Sequence, residues 1–395
     1  MRVPFARPLF IVVTGLSLIG GSAIAFLPAL IAKPRVRQAA GQALSAESTR
    51  KLDQVLEAER LKRKIPGISL AVGIDNRLAY STAAGSSDIE NSVAARPESV
   101  YRTASIAKAM TAVAVVQLAE QGKLDLDAPI QKYCPAFPVK SSPITARLLL
   151  GHLSGIRHYK TPAEPSGTEH YGDVKSSLAI FKDEPLLHEP GTKFLYTTFG
   201  YTVLGCAIEG ATGLGYDQYM RERVWAPAGM TQTGLDHLRL VIPHRSRGYA
   251  MLSSITFLQL PESERRLVKP GEIYNAQLHD TSMKVPGGGL VSTAPDLVRF
   301  AIAVNTGKLV NEKSRSEMWT RQKTSDGKET DYGLGWNVGN SRGRFLVSHG
   351  GGQAGTSTLL TMLPTKGAII AIMANLEGAD LNDLIAQVAR IIAPE

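Results

Sequence analysis

The length, composition and charge of the chain indicate a folded globular protein. Its 395 residues suffice for one large domain or two, with 20% charged and 44% hydrophobic residues. The formal net charge of +9 does not indicate nucleic-acid binding, because five basic residues and no acid precede Glu47 and no basic run with interleaved aromatic residues follows.

An uncharged apolar segment of 24 residues lies near the N-terminus at residues 9–32. A helix of that length could span a bilayer, at about 1.5 Å per residue. The segment also fits a secretory signal, because two arginines precede it and Ala23-Ile24-Ala25 has the pattern of a cleavage site. We therefore predict a signal peptide or membrane anchor over residues 1–32, with membrane association through 9–32, and a linker over 33–46. The body of the protein is expected in the periplasm or at the cell envelope or, alternatively, in mitochondria.

The next predicted elements follow apolar periodicity along the chain. They are a helix from Glu47 to before Pro66, a strand at 68–74, a hairpin return at 77–83, a helix at 105–120, strands at 332–338, 345–348, 356–363 and 368–374, and a last helix containing Leu381, Leu384 and Val388. Residues 123–330 combine short amphipathic pieces with prolines and glycines and are predicted to be mostly helical.

This order of elements predicts an α+β fold. Hairpins favour an antiparallel sheet, which we expect the N- and C-terminal strands to form together, with flanking helices. Residues 123–330 would form a mainly helical second lobe, and residues 47–393 one domain.

The sequence contains two cysteines, Cys134 and Cys206. They exclude a disulfide-rich scaffold and do not have zinc-site spacing. One disulfide is compatible with the sequence, but two buried thiols are expected. His152 and His158 have no third ligand at a suitable spacing, so they are interpreted as structural, and neither a metal nor another cofactor is predicted.

The strongest chemical signal is Ser105, three residues before Lys108 at the start of a predicted helix. Residues at this spacing share a helix face, so the lysine amine can reach the serine hydroxyl and help to remove its proton. At the helix start, Ser105 also lies near free backbone N–H groups. By itself, the same pattern would fit a serine cap and a surface lysine.

Two further motifs support Ser105. Tyr196 follows a Pro-Gly turn and precedes a helical run, and a nearby Lys108 would lower the pKa of its phenol. His349 precedes Gly350, Gly351 and Gly352, directly after a predicted strand. Glycines there would let a substrate approach, with His349 facing the cleft as a donor to a substrate carboxylate or hydroxyl. The glycine spacing also matches a dinucleotide-binding pattern, but a strand rather than a helix is predicted to follow.

These motifs, in this order, resemble those of the serine β-lactamase and D-Ala-D-Ala carboxypeptidase superfamily, in its class C and S12 peptidase branch. The matching segments are Ser105-x-x-Lys108, Tyr196-Thr197-Thr198 and His349-Gly350-Gly351. Two longer runs, 152–159 and 194–201, are similar to the mitochondrial serine β-lactamase-like protein family. The resemblance implies a β-lactamase/transpeptidase-like fold.

The resemblance also implies roles for individual residues. Ser105 would form an acyl-enzyme, and Lys108 and Tyr196 would share the proton transfers. The backbone N–H groups of Ser105 and Gly352 would form the oxyanion hole. The remaining substrate-binding positions would be His349, Gly351 and Thr198.

Two of these positions depart from the superfamily pattern. Thr198 stands where that branch has asparagine, and His349 stands where it has a permanently charged lysine or a histidine. Because a histidine loses its charge near neutral pH, carboxylate binding would weaken. Both departures favour a peptidase or esterase over an efficient β-lactamase.

We therefore predict a serine hydrolase that acts through an acyl-enzyme on amide or ester bonds, with a peptidase favoured. Its substrate would be a small peptide, an ester or a β-lactam-like compound. The alternatives are a non-catalytic penicillin-binding or filament-forming scaffold with the same fold, and a class C β-lactamase or esterase. A homo-oligomer is compatible with each of them.

Overall fold

The computed structural model describes residues 44–161, 163–251, 260–268, 271–341 and 343–394. The predicted signal peptide or anchor at 1–32 and almost all of the predicted linker at 33–46 lie outside these residues. Among the described residues, no helix combines the length and the apolar character needed to cross a membrane.

The described chain is a mixture of strands and helices, which confirms the predicted α+β class. The strands are β1 (Gly67–Ile74), β2 (Arg77–Asp88), β3 (Val93–Ala94), β4 (Tyr101–Arg102), β5 (Gly234–Leu235), β6 (Tyr249–Met251), β7 (Ile273–Asn275), β8 (Leu290–Ser292), β9 (Asn337–Ser341), β10 (Arg344–Gln353), β11 (Thr356–Leu363) and β12 (Ala368–Ala374). The α-helices are α1 (Ala46–Lys62), α2 (Ile106–Glu120), α3 (Ala146–Leu150), α4 (Val174–Ser177), α5 (Phe199–Thr212), α6 (Tyr216–Met220), α7 (Ala226–Ala228), α8 (Glu262–Arg265), α9 (Val285–Gly288), α10 (Ala294–Asn305), α11 (Glu312–Met318) and α12 (Asn382–Ile392).

Strands from both ends of the chain form one antiparallel sheet, as predicted. Within the described residues it contains seven strands in the order β3-β2-β1-β12-β11-β10-β9. Strand β1 pairs with β12, so that Ile68 lies opposite Ala374. The two ends of the domain are therefore held together in the middle of the sheet.

The two faces of the sheet pack against different helices, because successive side chains of a strand point to opposite faces. One face carries Leu70, Val72, Ile370 and Ile372 and packs against apolar residues of α1 and α12. The other face, which includes Ala71, Ala371 and Met373, joins the core that contains α2, α5 and α10. Helix α2 is buried on all sides from Ile106 to Leu118, so a polar side chain on it is removed from water.

The region between β2 and β9 contains helices α2 to α11, joined by turns and loops, and it also contains short strands that the sequence pattern did not predict. Strands β4, β8 and β5 form a small sheet, and β6 pairs with β7. Strand β4 ends at Arg102, just before the Ser105 segment, and β8 begins just after the glycines at 287–289. The small sheet therefore holds these two segments close together.

The predicted strand at 332–338 is wrong in its position. Strand β9 spans Asn337–Ser341, and the preceding residues form a turn in which Gly335 has a φ of 85°. A Cβ at Gly335 would lie 2.3 Å from Cβ of Ala112, so the turn packs directly on α2. This close approach prevents an extended strand there.

The cysteines form a disulfide, which corrects the expectation of two free thiols. Cys134 and Cys206 are both fully buried and are joined across 72 residues of sequence. The bond links the segment after α2 to the middle of α5. Sequence spacing could not reveal this pairing, because it depends on how α5 packs against the segment after α2.

Removing this disulfide is expected to lower the free energy of unfolding by about 4 kcal/mol. In the chain-entropy account, a cross-link stabilises the fold by restricting the unfolded chain, and this value corresponds to a loop of 72 residues. Urea unfolding of the oxidised protein should be compared with that of the Cys134→Ala, Cys206→Ala double variant. Equal unfolding free energies for the two proteins would contradict the expectation.

Candidate active site

Ser105 lies at the N-cap of α2 with its side chain free for chemistry. The preceding residue, Ala104, has a φ of 46°, a left-handed conformation that a non-glycine residue rarely adopts. The hydroxyl of Ser105 makes no capping hydrogen bond to the helix. Its backbone N–H donates no hydrogen bond to any described residue. Both groups are thus available at the same point of the chain.

Lys108 lies one helical turn after Ser105 and is 0% exposed. Its Nζ lies 3.1 Å from Oγ of Ser105 and donates a hydrogen bond of 2.6 Å to the carbonyl of Gly287. Burial, with a smaller contribution from the positive charge of Lys284, holds the pKa of Lys108 well below its usual value. The amine is therefore stabilised in its neutral form, which can accept a proton.

Tyr196 brings a third group to the same hydroxyl. Nζ of Lys108 lies 4.9 Å from the centre of the Tyr196 ring. Burial raises the pKa of Tyr196, and the neighbouring side chain of Ser105 opposes this rise only in part. The expected lowering of this pKa is wrong, because the loss of solvation dominates and the neutral amine of Lys108 does not offset it. Tyr196 is thus a neutral phenol.

Two histidines hold the backbone that follows Tyr196. Nδ1 of His152 accepts a hydrogen bond of 3.1 Å from the N–H of Thr197, and Nδ1 of His158 accepts one of 3.2 Å from the N–H of Thr198. Burial lowers the pKa of His158 to about 4 and that of His152 well below its usual value. Both rings therefore remain neutral acceptors. The sequence indicated only a structural role and gave no sign that they fix the Tyr196 segment.

Thr198 packs against the glycine turn at 287–289. It is buried, and its side chain partly opposes the rise that burial causes in the pKa of Tyr159. A Cβ at Gly287 would lie 2.6 Å from Cγ2 of Thr198. The absence of a side chain at Gly287 thus lets this turn bring its carbonyl to Lys108.

His349 lies behind the site, not in an open cleft as predicted from the sequence. It is 2% exposed, and its Nδ1–H donates a hydrogen bond of 2.7 Å to the carbonyl of Gly350. Its Nε2 accepts one of 2.8 Å from the hydroxyl of Tyr332. Burial and, secondarily, Lys108 lower the pKa of His349 to about 3. A neutral ring with both nitrogens engaged cannot supply a positive charge to a substrate carboxylate.

The glycines after His349 run beside the nucleophile segment. A Cβ at Gly351 would lie 2.4 Å from the carbonyl oxygen of Thr103 and 3.0 Å from Cβ of Ala104. A Cβ at Gly352, in contrast, would meet no described atom within 4 Å. Strand β10 therefore approaches the start of α2 at Gly351 and leaves open space at Gly352.

Comparison with known proteins agrees with this fold. The sequence profile of the Beta-lactamase family matches residues 50–392, and the chain belongs to that family. The mitochondrial serine beta-lactamase-like protein LACTB of Homo sapiens is 30% identical over an alignment of 439 residues, which covers 84% of this chain and 77% of that protein.

Solved structures show the same architecture. The D-amino acid amidase of Ochrobactrum anthropi has a TM-score of 0.75 and 23% identity, and the match covers 87% of this chain and 98% of that one. The octameric penicillin-binding protein homologue of Pyrococcus abyssi has a TM-score of 0.70 and 24% identity, and the match covers 86% of this chain and 76% of that one. At these identities the likeness establishes the fold.

Proposed function

We propose that this protein is a serine hydrolase that cleaves amide or ester bonds through an acyl-enzyme on Ser105. The observation that carries the proposal is a buried amine, Lys108, that lies 3.1 Å from the hydroxyl of Ser105 and faces the ring of the half-buried Tyr196. A serine needs an adjacent base to become a good nucleophile. The surroundings of Lys108 favour a neutral amine, which can accept a proton, and those of Tyr196 favour a neutral phenol, which can donate one.

In the proposed acylation step, the neutral amine of Lys108 takes the proton of Ser105 as Oγ attacks the carbonyl carbon. The N–H of Ser105, together with that of Gly352, would stabilise the negative oxygen that develops. Tyr196 would then protonate the leaving group and recover a proton from the Lys108 ammonium. Deacylation would repeat this sequence with water as the nucleophile, releasing the acid and the free serine.

Among substrates, we propose a small peptide as the acyl donor. The buried Thr198 and the neutral, buried His349 support this choice, because a threonine offers no side-chain amide and this histidine offers no fixed charge, and an amide and a fixed charge would both favour efficient β-lactam hydrolysis. The disulfide supports an oxidising compartment, which agrees with export from the cytosol. An extracytosolic peptide substrate fits both observations.

A fluorophosphonate probe tests the proposal directly. We expect the folded protein to be labelled on Ser105, as located by peptide mass spectrometry, and Ser105→Ala to remain unlabelled. Ser325→Ala, which removes an exposed serine, should label like the wild type. A panel of peptide, D-amino-acid, ester and β-lactam substrates, with intact-mass detection of the acyl-enzyme, would then define the substrate class.

Two outcomes would contradict the proposal. Folded protein that is not labelled and turns over no member of the panel would favour a non-catalytic scaffold. Nitrocefin turnover well above peptide turnover would favour a β-lactamase over the peptidase assignment.

A further inference from the structure

A second buried lysine, Lys284, lies beside the proposed catalytic lysine. It is 5% exposed and forms the N-cap of α9, whose residue Gly287 accepts the hydrogen bond from Lys108. The ammonium of Lys284 donates no hydrogen bond and makes no ion pair with any residue that the structure describes. A cation with so little access to water is costly, and such groups occur preferentially at functional sites.

The carboxylate that interacts with Lys284 is already bound by other residues. Oδ2 of Asp236 accepts a hydrogen bond of 2.7 Å from Nε of Arg102, and Oδ1 accepts one of 2.6 Å from Nη2 of Arg245. Thr281 donates a further hydrogen bond of 3.0 Å to Oδ2. Asp236 therefore cannot neutralise Lys284 as well, and the surroundings of Lys284 remain positively charged.

Lys284 and the segment that carries the nucleophile both lie next to the same glycine, Gly288. A Cβ at Gly288 would lie 3.8 Å from both Cδ of Lys284 and the carbonyl carbon of Ala104. Nζ of Lys284 lies 5.9 Å from the centre of the Tyr159 ring. The charged or titratable groups that face Lys284 are Lys108 from α2, Arg102 from β4, His158 and Tyr159 from the loop after α3, Asp236 after β5, and His279 after β7.

We propose that Lys284 is a positioning residue for the acylation chemistry, whose positive charge keeps Lys108 in the neutral form that can act as a base. The inference rests on the proposed function, because it matters only if Lys108 accepts the proton of Ser105. Like charges close together in a buried site disfavour double protonation. A cation next to a catalytic lysine is one established way to activate it.

Lys284 is positively charged in the pH range in which Lys108 would otherwise become protonated. Burial, and then Arg102, lower the pKa of Lys284 to about 7, so its ammonium persists below that pH and is lost above it. The amine of Lys108 becomes protonated, and can no longer act as a base, as the pH falls. Lys284 therefore opposes that protonation on the acid side and has little influence in alkaline solution.

The test is the pH profile of acylation in Lys284→Met and Lys284→Arg. In Lys284→Met we expect the acid limb of kcat/KM to move up by about one pH unit, which makes acylation roughly tenfold slower below the limb. Near pH 9 the variant should approach the wild type. Lys284→Arg, which keeps the charge, should retain the wild-type limb, and Lys160→Met, which removes an exposed lysine, should not change it.

A second readout does not require turnover. In protein labelled with ¹³Cε-lysine, the Lys108 signal, assigned by its loss in Lys108→Met, should titrate at a higher pH in Lys284→Met than in the wild type. An unchanged Lys108 titration would overturn the inference even if Ser105 is acylated. A shifted titration in a protein that never labels Ser105 would support the electrostatic coupling and overturn the proposed hydrolase instead.

Two kinetic results would also reject the inference. One is an equal loss of rate at every pH in Lys284→Met without rescue by arginine, which would indicate a purely structural side chain. The other is a raised KM for substrates that carry a carboxylate, with an unmoved acid limb, which would indicate that Lys284 binds the substrate.

Discussion

Replacing Lys108 by arginine is expected to lower kcat/KM by about 10³-fold, within the range of general-base catalysis. Arginine has a side chain of similar length but does not lose its proton in proteins, so it cannot accept the proton of Ser105. Lys108→Met should lose a similar factor. The measurement is the second-order rate of acyl-enzyme formation, followed by intact mass.

The direction of the pH dependence follows from the lowered pKa of Lys108. Acylation requires the neutral amine, so its rate should fall as the pH drops through that pKa, and the base should be available at neutral pH. Lys323→Arg, the same substitution at an exposed position, should leave the rate unchanged. A Lys108→Arg variant that folds and acylates at the wild-type rate would rule out Lys108 as the base.

Replacing Tyr196 by phenylalanine is expected to lower amide turnover by about 10²- to 10³-fold. Burial raises the pKa of Tyr196, so its phenol remains protonated and can donate to the leaving group. An amine leaving group needs this proton, whereas p-nitrophenolate departs without it. The loss should therefore be much smaller for a p-nitrophenyl ester of the same acyl group.

The comparison of the two leaving groups separates proton donation from other roles of Tyr196. Tyr80→Phe is the matched control, because it removes a phenol that binds Asp53 outside the proposed site. It should leave both rates unchanged. Equal losses for amide and ester in Tyr196→Phe would contradict a leaving-group role and would instead place the tyrosine in the activation of Ser105.

The central strands β1, β11 and β12 could be predicted because burial on both faces leaves continuous apolar runs. The predicted bounds at 356–363 and 368–374 match β11 and β12, and the N-terminal hairpin is present. The prediction failed at 332–338, where Gly335 turns the chain onto α2. It also failed for Cys134 and Cys206, because their pairing depends on packing between distant segments.

In the site, the sequence predicted which residue types meet, but it could not predict how deeply they are buried. The contact between Ser105 and Lys108 could be predicted, because residues three apart share a helix face. The protonation preference of Tyr196 and the engaged ring of His349 depend on desolvation, which only the folded structure supplies. Lys284 belongs to none of the motifs that the sequence analysis identified, and its place beside Lys108 follows from the packing of α9 on α2.

Strand β1 lies in the middle of the large sheet, between β2, which follows it at once, and β12, which is made about 300 residues later. One edge of β1 therefore has no partner while the ribosome is still producing the rest of the domain. Unpaired apolar strands promote aggregation, and pairing between distant segments is slow. A premature stop codon before β12 would leave the sheet open, even though Ser105, Lys108 and Tyr196 had all been translated.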